Sequence, residues 1–363
     1  MSTTIEQLEA AAYRIPTDAP EADGTLAWDS TTLVLVRVAA QGVWGCGYSY
    51  TDAAAGGLIQ GTLADIVLGR DAMAVPGIWE AMVAALRNLG RPGLCSSAVA
   101  AVDTALWDLK ARLLGVPLAD LLGSCREPVP VYGSGGFTSY SMERLLRQMA
   151  DWVSAGIPRV KMKVGAHPGD DVNRVAAVRK AIGTDAALYV DANGAYARKQ
   201  ALEIAVHFRE QAGVSWFEEP VSSDDLAGLR LLRDRVPPGM EVTAGEYGYD
   251  LVYFRRMLAA GAVDVIQADA TRCGGITGLL RVAALARAFQ VPLSSHTAPA
   301  LHLHPMSALP GVRHMEYFHD HVRIEERLFD GAQRPRDGAL RPVRTLAGHG
   351  LNLRTAEAAR YAV

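Results

Sequence analysis

From about Pro128 to Phe318 two hydrophobic patterns alternate along the chain. Short apolar runs rich in β-branched and aromatic residues occur at VPVYGSG, PRVKMKVG, AALYVDANG, VSWFEEPV, EVTAGE, VDVIQAD, VPLSSH and VRHMEYF. Their length and composition predict strands. Between them SMERLLRQMADWVSAG, DVNRVAAVRKAIG, KQALEIAVHFREQAG and LLRVAALARAFQ repeat apolar positions at helical spacing. Eight strands alternating with helices predict parallel βαβ units, and that number suits a (β/α) barrel. The rival is a doubly wound open sheet, but no GxGxxG follows a first strand. The earlier residues differ: TTLVLVRVA and GVWGCGYSY predict antiparallel strands, and SSAVAAVDTALWDLKARLLG a long amphipathic helix. The expected organisation is an α/β chain with an N-terminal α+β capping domain at 1–125 and a barrel at 126–325. A weakly periodic C-terminal segment at 326–363 is expected to return to the cap.

Composition narrows the function without naming it. Half of the 363 residues are hydrophobic, enough for a large core. A net charge of −3 supplies no general field for nucleic acid or an anionic membrane. Cys46, Cys95, Cys125 and Cys273 form no CxxC pair and read as reduced thiols. The opening MSTTIEQLEAAAYRIP lacks the basic and apolar regions of a signal peptide, and no apolar run approaches membrane-spanning length. The expectation is a cytoplasmic enzyme acting on a small molecule.

Polar residues gather where the predicted strands end, which is where barrel enzymes place their sites. Strand two ends in Lys161 and Lys163, strand three in Asp191 and Asn193, strand four in Glu218 and Glu219. Glu246, Asp269, His296 and Glu316 close strands five to eight. Most steps between these positions are 27 or 28 residues, about one βα unit, so the side chains should ring one mouth. Asp191, Glu218 and Glu246 have no arginine beside them in sequence, and three converging carboxylates require a cation between them. An all-oxygen ligand set suits Mg²⁺. Glu219 is expected to face away, because adjacent strand residues alternate.

The chain has only five lysines, yet two sit one residue apart in RVKMKVG. In a strand they share the inner face, and like-charge repulsion is expected to depress one pKa and leave a neutral amine as a base. The other ammonium would hold an anionic substrate. Asp269, one strand before His296, is expected to orient its ring as a His–Asp dyad. The HxH pair His302 and His304, with His319 and His321, invites a zinc reading, but the pair diverges in a helix-like context. Two bases flanking a carboxylate-held metal suit proton abstraction beside a carboxylate, with the enediolate stabilised by Mg²⁺ and by a protonated Glu316 as hydrogen-bond donor.

These residues resemble the enolase superfamily, specifically its mandelate racemase subgroup. The resemblance covers essentially the whole chain: SAVAAVDTALWDLKARLLGVPLADLLG, then KMK, DAN, EEP, GE, the Asp of IQADATRCGGIT, SSH and HMEY in family order. It implies a modified (β/α)7β barrel under a capping domain that the C-terminal segment completes. It also implies Asp191, Glu218 and Glu246 as Mg²⁺ ligands, Lys163 as the catalytic lysine and Lys161 as its electrostatic partner, which also binds substrate. Asp269 and His296 resemble the dyad, Glu316 the electrophilic acid, and Asn193 a substrate contact. The muconate-lactonizing branch carries a lysine after strand six instead, which sets this chain apart. Dehydration of a sugar acid to a 2-keto-3-deoxy acid is the favoured expectation. Racemisation or epimerisation of a 2-hydroxy acid is the alternative, and an inactive binding protein on the same fold the distant one. Relatives are often dimers to octamers, so a homo-oligomer is expected.

The substrate's tail is read from the cap. Between Arg14 and Arg70 the only cation is Arg37, inside a predicted strand. The candidate lid loops TDAPEADGTLAWDS and GYSYTDAAAGG carry Asp18, Glu21, Asp23, Asp29 and Asp52 but no lysine or arginine. A second substrate carboxylate would lack a partner there, so a monoacid (an aldonate) is expected, with Trp28, Tyr48 and Tyr50 available for packing.

Overall fold

The computed structural model describes residues 3–363. Three antiparallel strands open the chain: β1 (Gln7–Ala22), β2 (Ala27–Ala40) and β3 (Val43–Tyr50). β1 is absent from the sequence reading, and it corrects the first lid loop. Residues 17–30 form the tip of a long hairpin, with Glu21 opposite Trp28 and only 23–26 left as a turn. Asp23 ties that turn by accepting from the backbone N–H of Thr25 and Leu26 at 2.6 and 2.7 Å. The second lid stretch continues β3 to Tyr50 and then enters a short helix, Ala54–Leu58.

β2 is buried on both faces, and its alternation divides the molecule. Val34, Val36 and Val38 join the core under the N-terminal helices, while Leu33 and Leu35 join the core that surrounds the larger sheet. The helix Leu94–Leu113 packs on β2 and β3 through small residues such as Ala98, Ala101 and Ala105. Its backbone lies so close to β3 that a Cβ on Gly45 or Gly47 would stand 2.4 Å from the amide nitrogen of Leu109 or Ala105. The glycines of GCG therefore set the distance between helix and sheet.

The eight predicted barrel strands correspond to β4 (Val129–Gly135), β5 (Arg159–Lys163), β6 (Ala187–Asp191), β7 (Trp216–Glu218), β8 (Glu241–Ala244), β9 (Val265–Ala268), β10 (Leu293–Ser295) and β11 (Met315–Phe318). They form one curled parallel sheet in the order β10-β9-β8-β7-β6-β5-β4-β11. Its two ends approach each other: Leu293 donates to Gly311 O at 3.1 Å and accepts from Arg313 N at 2.7 Å. A helix follows each of β4 to β10, and outward residues such as Val160, Met162, Leu188, Val190 and Phe217 pack against this layer. Inside, Tyr132, Tyr189 and Trp216 form an aromatic floor. Alternation places Asp191 and Glu218 of the same strands one step above it, where Lys163 of β5 pairs with Asp191, while Lys161 pairs with Tyr189.

Beyond residue 325 the chain contacts both regions. Ala339–Leu340 pairs with β4, and Val363 donates to Ala12 O in β1 at 3.1 Å. Asp108 accepts from the backbone N–H of His349, and Arg112 donates to Leu351 O at 2.8 Å. No helix among the described residues is long and apolar enough to cross a membrane.

Candidate active site

Parallel strands all end on one side of the sheet, so residues at their C-terminal ends meet there. Asp191, Glu218 and Glu246 are buried, and each brings an oxygen within 4.8 Å of the other two. The register explains this: Asp191 pairs directly with Glu218 across β6 and β7, and Glu246 follows β8. The two lysines lie beside the cluster on its β5 side. Lys161 Nζ is 2.5 Å from Glu218, 2.8 Å from Glu316 and 3.3 Å from Asp191. Lys163 Nζ donates to Asp191 at 2.5 Å and to Asn193 Oδ1 at 3.1 Å.

The expected neutral lysine is not found. Burial pulls both ammonium groups down, but Glu218 and Glu316 raise Lys161 well above its ordinary value, and Asp191 raises Lys163 despite repulsion from Lys161. Chain neighbours showed only the repulsion; the compensating acids arrive across the sheet. The acids remain crowded even so. Burial and the charge of Asp191 push Glu218 up to about 8. Glu246 Oε2 is buried without a hydrogen-bond partner. A hard, all-oxygen, under-compensated donor set fits a divalent cation such as Mg²⁺.

On the other side His296 Nδ1 lies 2.8 Å from Asp269 Oδ2, and its Nε2 is 3.4 Å from Glu246. Burial would lower the imidazole's pKa; Glu246 and the Asp269 hydrogen bond raise it above the ordinary value. Glu316 also departs from expectation. It accepts from Ser134 Oγ at 2.6 Å and from Thr297 N at 2.8 Å, with Lys161 as its ion partner. Burial opposes ionisation, but Lys161 draws the carboxyl down to about 2.

Glu219 contradicts the alternation argument because β7 ends at Glu218. At φ +39° Glu219 leaves the strand path, stays buried, and lines a chamber beside the mouth. The histidines of the HxH stretch serve backbone groups: His302 Nε2 accepts from Ala270 N and His304 Nδ1 from Ala119 N.

A cavity of about 400 Å³ opens above these residues, lined by Lys163, Asn193, Glu246, Asp269, His296 and Glu316. The cap contributes Asp23, Trp28, Tyr50 and Asp52 among others. Tyr48 is not among them; its hydroxyl donates to Glu325 at 2.6 Å. Sequence reasoning missed Arg272, which donates to Glu246 O at 3.1 Å and stands 3.8 Å from Asp269. It weighed His321 only for zinc, whereas the residue lines the mouth, its ring stacked on Tyr50 with centroids 3.4 Å apart. Arg272 lies one turn beyond a strand end and His321 in the helix after β11, so the step of one βα unit does not reach them.

Residues 144–358 match the family model described as enolase C-terminal domain-like, and residues 12–123 the N-terminal domain of mandelate racemase/muconate lactonizing enzyme. A mandelate racemase/muconate lactonizing enzyme-like protein from Rubrobacter xylanophilus is 54% identical, with a TM-score of 0.97 over 99% of this chain and all of that one. The 3,6-anhydro-alpha-L-galactonate cycloisomerase of Streptomyces coelicolor is 34% identical over 86% of this chain and 88% of its own length. L-talarate/galactarate dehydratase of Salmonella typhimurium is 32% identical over 88% of this chain and 79% of its own. A structure of that dehydratase liganded with Mg and L-lyxarohydroxamate superposes with a TM-score of 0.90 at 28% identity, covering 100% of this chain and 94% of that one. The chain belongs to the mandelate racemase/muconate lactonizing enzyme family of the enolase superfamily.

Proposed function

We propose that this protein is a Mg²⁺-dependent dehydratase of a monoacid sugar, built on a modified (β/α)7β barrel (126–325) with a cap formed by 1–125 and 326–363. The observation that carries the reading is one cavity lined by Lys163, by the His296–Asp269 pair and by a member of the three-carboxylate cluster. Asp191, Glu218 and Glu246 would hold the ion. When bound, Mg²⁺ would offset their charge and polarise a substrate carboxylate, favouring loss of the neighbouring proton.

The chain's own residues do the rest. Lys163, which would give up its own proton once the ion offsets the Asp191 charge that holds it, takes the α-proton at Nζ, with Asn193 fixing that nitrogen. The C–H electron pair forms the α,β double bond as the bond to the β-hydroxyl breaks. His296 delivers a proton from Nε2 to that oxygen, which leaves as water, and Asp269 holds the ring through Nδ1. The enol product then tautomerises to a 2-keto-3-deoxy acid. Lys161, anchored by Glu316 and Glu218, keeps a fixed positive charge beneath the carboxylate. The substrate is a small carboxylic acid, and the working form a homo-oligomer.

The 34% identity to a cycloisomerase keeps a second outcome in view: the same proton abstraction without loss of water. Incubating the Mg²⁺-loaded protein with a library of mono- and diacid sugars and assaying 2-keto acid tests the dehydratase reading. Deuterium uptake or isomerised product without 2-keto acid would replace it with the racemase alternative, and 2-keto acid formed only from an anhydro sugar acid with the cycloisomerase one.

A further inference from the structure

The strand pairing that brings His296 to Asp269 stops just short of both. β9 and β10 are in register as far as Ala268 and Ser295, with one further bond from His296 N to Ala268 O at 3.0 Å. Past that point no ladder bond among the described residues joins the loop after β9 to the loop after β10. The second loop is also strained. Thr297 and Ala298 stand at φ +46° and +41°, left-handed backbone that glycine adopts freely and these residues do not. Such a turn persists only where its surroundings over-determine it. Its N–H groups are taken by Glu316 at 2.8 Å and by His321 Nδ1 at 3.3 Å. Both of its carbonyls accept from one side chain: His302 Nδ1 lies 3.0 Å from Thr297 O and 3.0 Å from Ala298 O. The other nitrogen of that ring, Nε2, accepts from the backbone N–H of Ala270 at 2.8 Å, in the loop after β9.

His302 is wholly buried in the helix Pro299–Ala308. Its ring donates on one side and accepts on the other, which an imidazole does only in its neutral form. Burial lowers its pKa and keeps it in that form. One flat ring thus grips the residue after Asp269 and the two residues after His296. We propose that His302 is the positioning residue of the His296–Asp269 pair, clamping the two loops so that His296 Nδ1 stays 2.8 Å from Asp269 Oδ2. The proposal rests on the reading of His296 as the acid that protonates the departing hydroxyl. A histidine that merely satisfied buried backbone would affect stability and leave that one step no more sensitive than the others.

Two amide variants divide the clamp. The carboxamide of Asn reaches the place of Nδ1 and that of Gln the place of Nε2. His302→Asn therefore keeps the donor to Thr297 and Ala298, and His302→Gln the acceptor for Ala270. Each retains one side of the clamp and is expected to fold. Each should lower kcat for the acid-sugar substrate by about tenfold to hundredfold, with KM and Mg²⁺ affinity unchanged. Exchange of the substrate's α-proton with deuterated solvent, which Lys163 carries out, should continue at the rate of the unaltered protein. Without substrate, the Nδ1 proton of His296 reports on the pair by NMR. In the Mg²⁺-loaded full chain, isotope-labelled at histidine, it resonates at low field while bonded to Asp269 and is assigned by its loss in His296→Asn. Both His302 variants are expected to move it upfield. His304→Asn, which keeps an acceptor for Ala119 N, should leave the signal and kcat where they are. A low-field signal absent from the unaltered protein, or unmoved in either His302 variant, would overturn the proposal. So would kcat and exchange falling together, or the same losses in His304→Asn. Because the signal is read without turnover, the dehydratase reading can fail while the clamp stands.

Discussion

At the scale of single residues, Glu218 has three tasks at once. It pairs with Lys161 at 2.5 Å, accepts from Trp216 Nε1 at 3.0 Å, and belongs to the carboxylate cluster. Glu218→Gln keeps the shape and removes the charge. It is expected to weaken Mg²⁺ binding by about a hundredfold and to abolish turnover, with the far-ultraviolet circular dichroism unchanged. Activity that survives exhaustive chelation in the unaltered protein would remove the metal from the mechanism. Lys163→Ala and His296→Asn should each lower turnover by about a hundredfold to ten-thousandfold. In each variant the remaining base should still exchange the substrate's α-proton with deuterated solvent, seen by NMR. Full turnover in either would take that residue out of the reaction. The strand-end acids and bases were legible because each occupies the same place in successive βα units. Their protonation was not, since it depends on neighbours across the sheet, such as Glu218 and Glu316 beside Lys161.

At the scale of elements, close approach and buried charge give two stability predictions. A methyl group on Gly47 would meet the Ala105 backbone at 2.4 Å, and a helix backbone cannot yield as a side chain can. Gly47→Ala should cost about 3 kcal/mol by urea denaturation, from overpacking that separates β3 from Leu94–Leu113. Glu325 accepts from Tyr48 of β3 and from Ala300 N, and so ties the cap to the helix after β10. Burial pushes its carboxyl up to about 8 from 4.5. The folded state therefore holds a proton that the unfolded chain releases, and stability from this group is full below pH 4.5 and falls as pH rises toward 8. Glu325→Gln should flatten that fall, gaining stability relative to the unaltered protein between those limits; parallel slopes would show that the carboxyl is already ionised. The eight parallel strands and long helices were legible because period and composition agree over each. β1 was not. Its C-terminal half, RIPTDAPEA, carries two prolines and two acids, and its register breaks between Pro16 and Glu21. Only its long pairing with β2, invisible in one segment alone, holds it extended.

At the scale of the whole molecule, the distribution of charge between cap and sheet is expected to select the substrate's tail. Of the five cap acids singled out in sequence, Asp23 and Asp52 line the mouth. Asp18 is engaged by Arg144 and His319, and burial together with the charge of Asp320 raises Glu21 to about 8. Among the described residues no cap cation lines the cavity, while Arg272, on the sheet side, is already shared between Glu246 and Asp269. Ser30, Thr32 and Thr51 bring hydroxyl side chains to this lining instead. An aldonate with one carboxylate at the metal site and a hydroxylated tail under the cap satisfies this surface. An aldarate places its second carboxylate near Asp23 and Asp52. At an effective dielectric of about 20, a like-charge contact at about 4 Å costs on the order of 4 kcal/mol. Screening at the open mouth reduces this to about a tenfold to hundredfold preference. The measurement is kcat/KM for an aldonate and the aldarate of matched configuration, with Mg²⁺ saturating. The Salmonella relative is named for two diacids, so the outcome also separates this chain from it. A tenfold preference for the diacid would mean that Arg272 releases Glu246 and Asp269 to receive the distal carboxylate, or that a neighbouring subunit supplies the cation. Either would transfer control of specificity from the cap to the sheet.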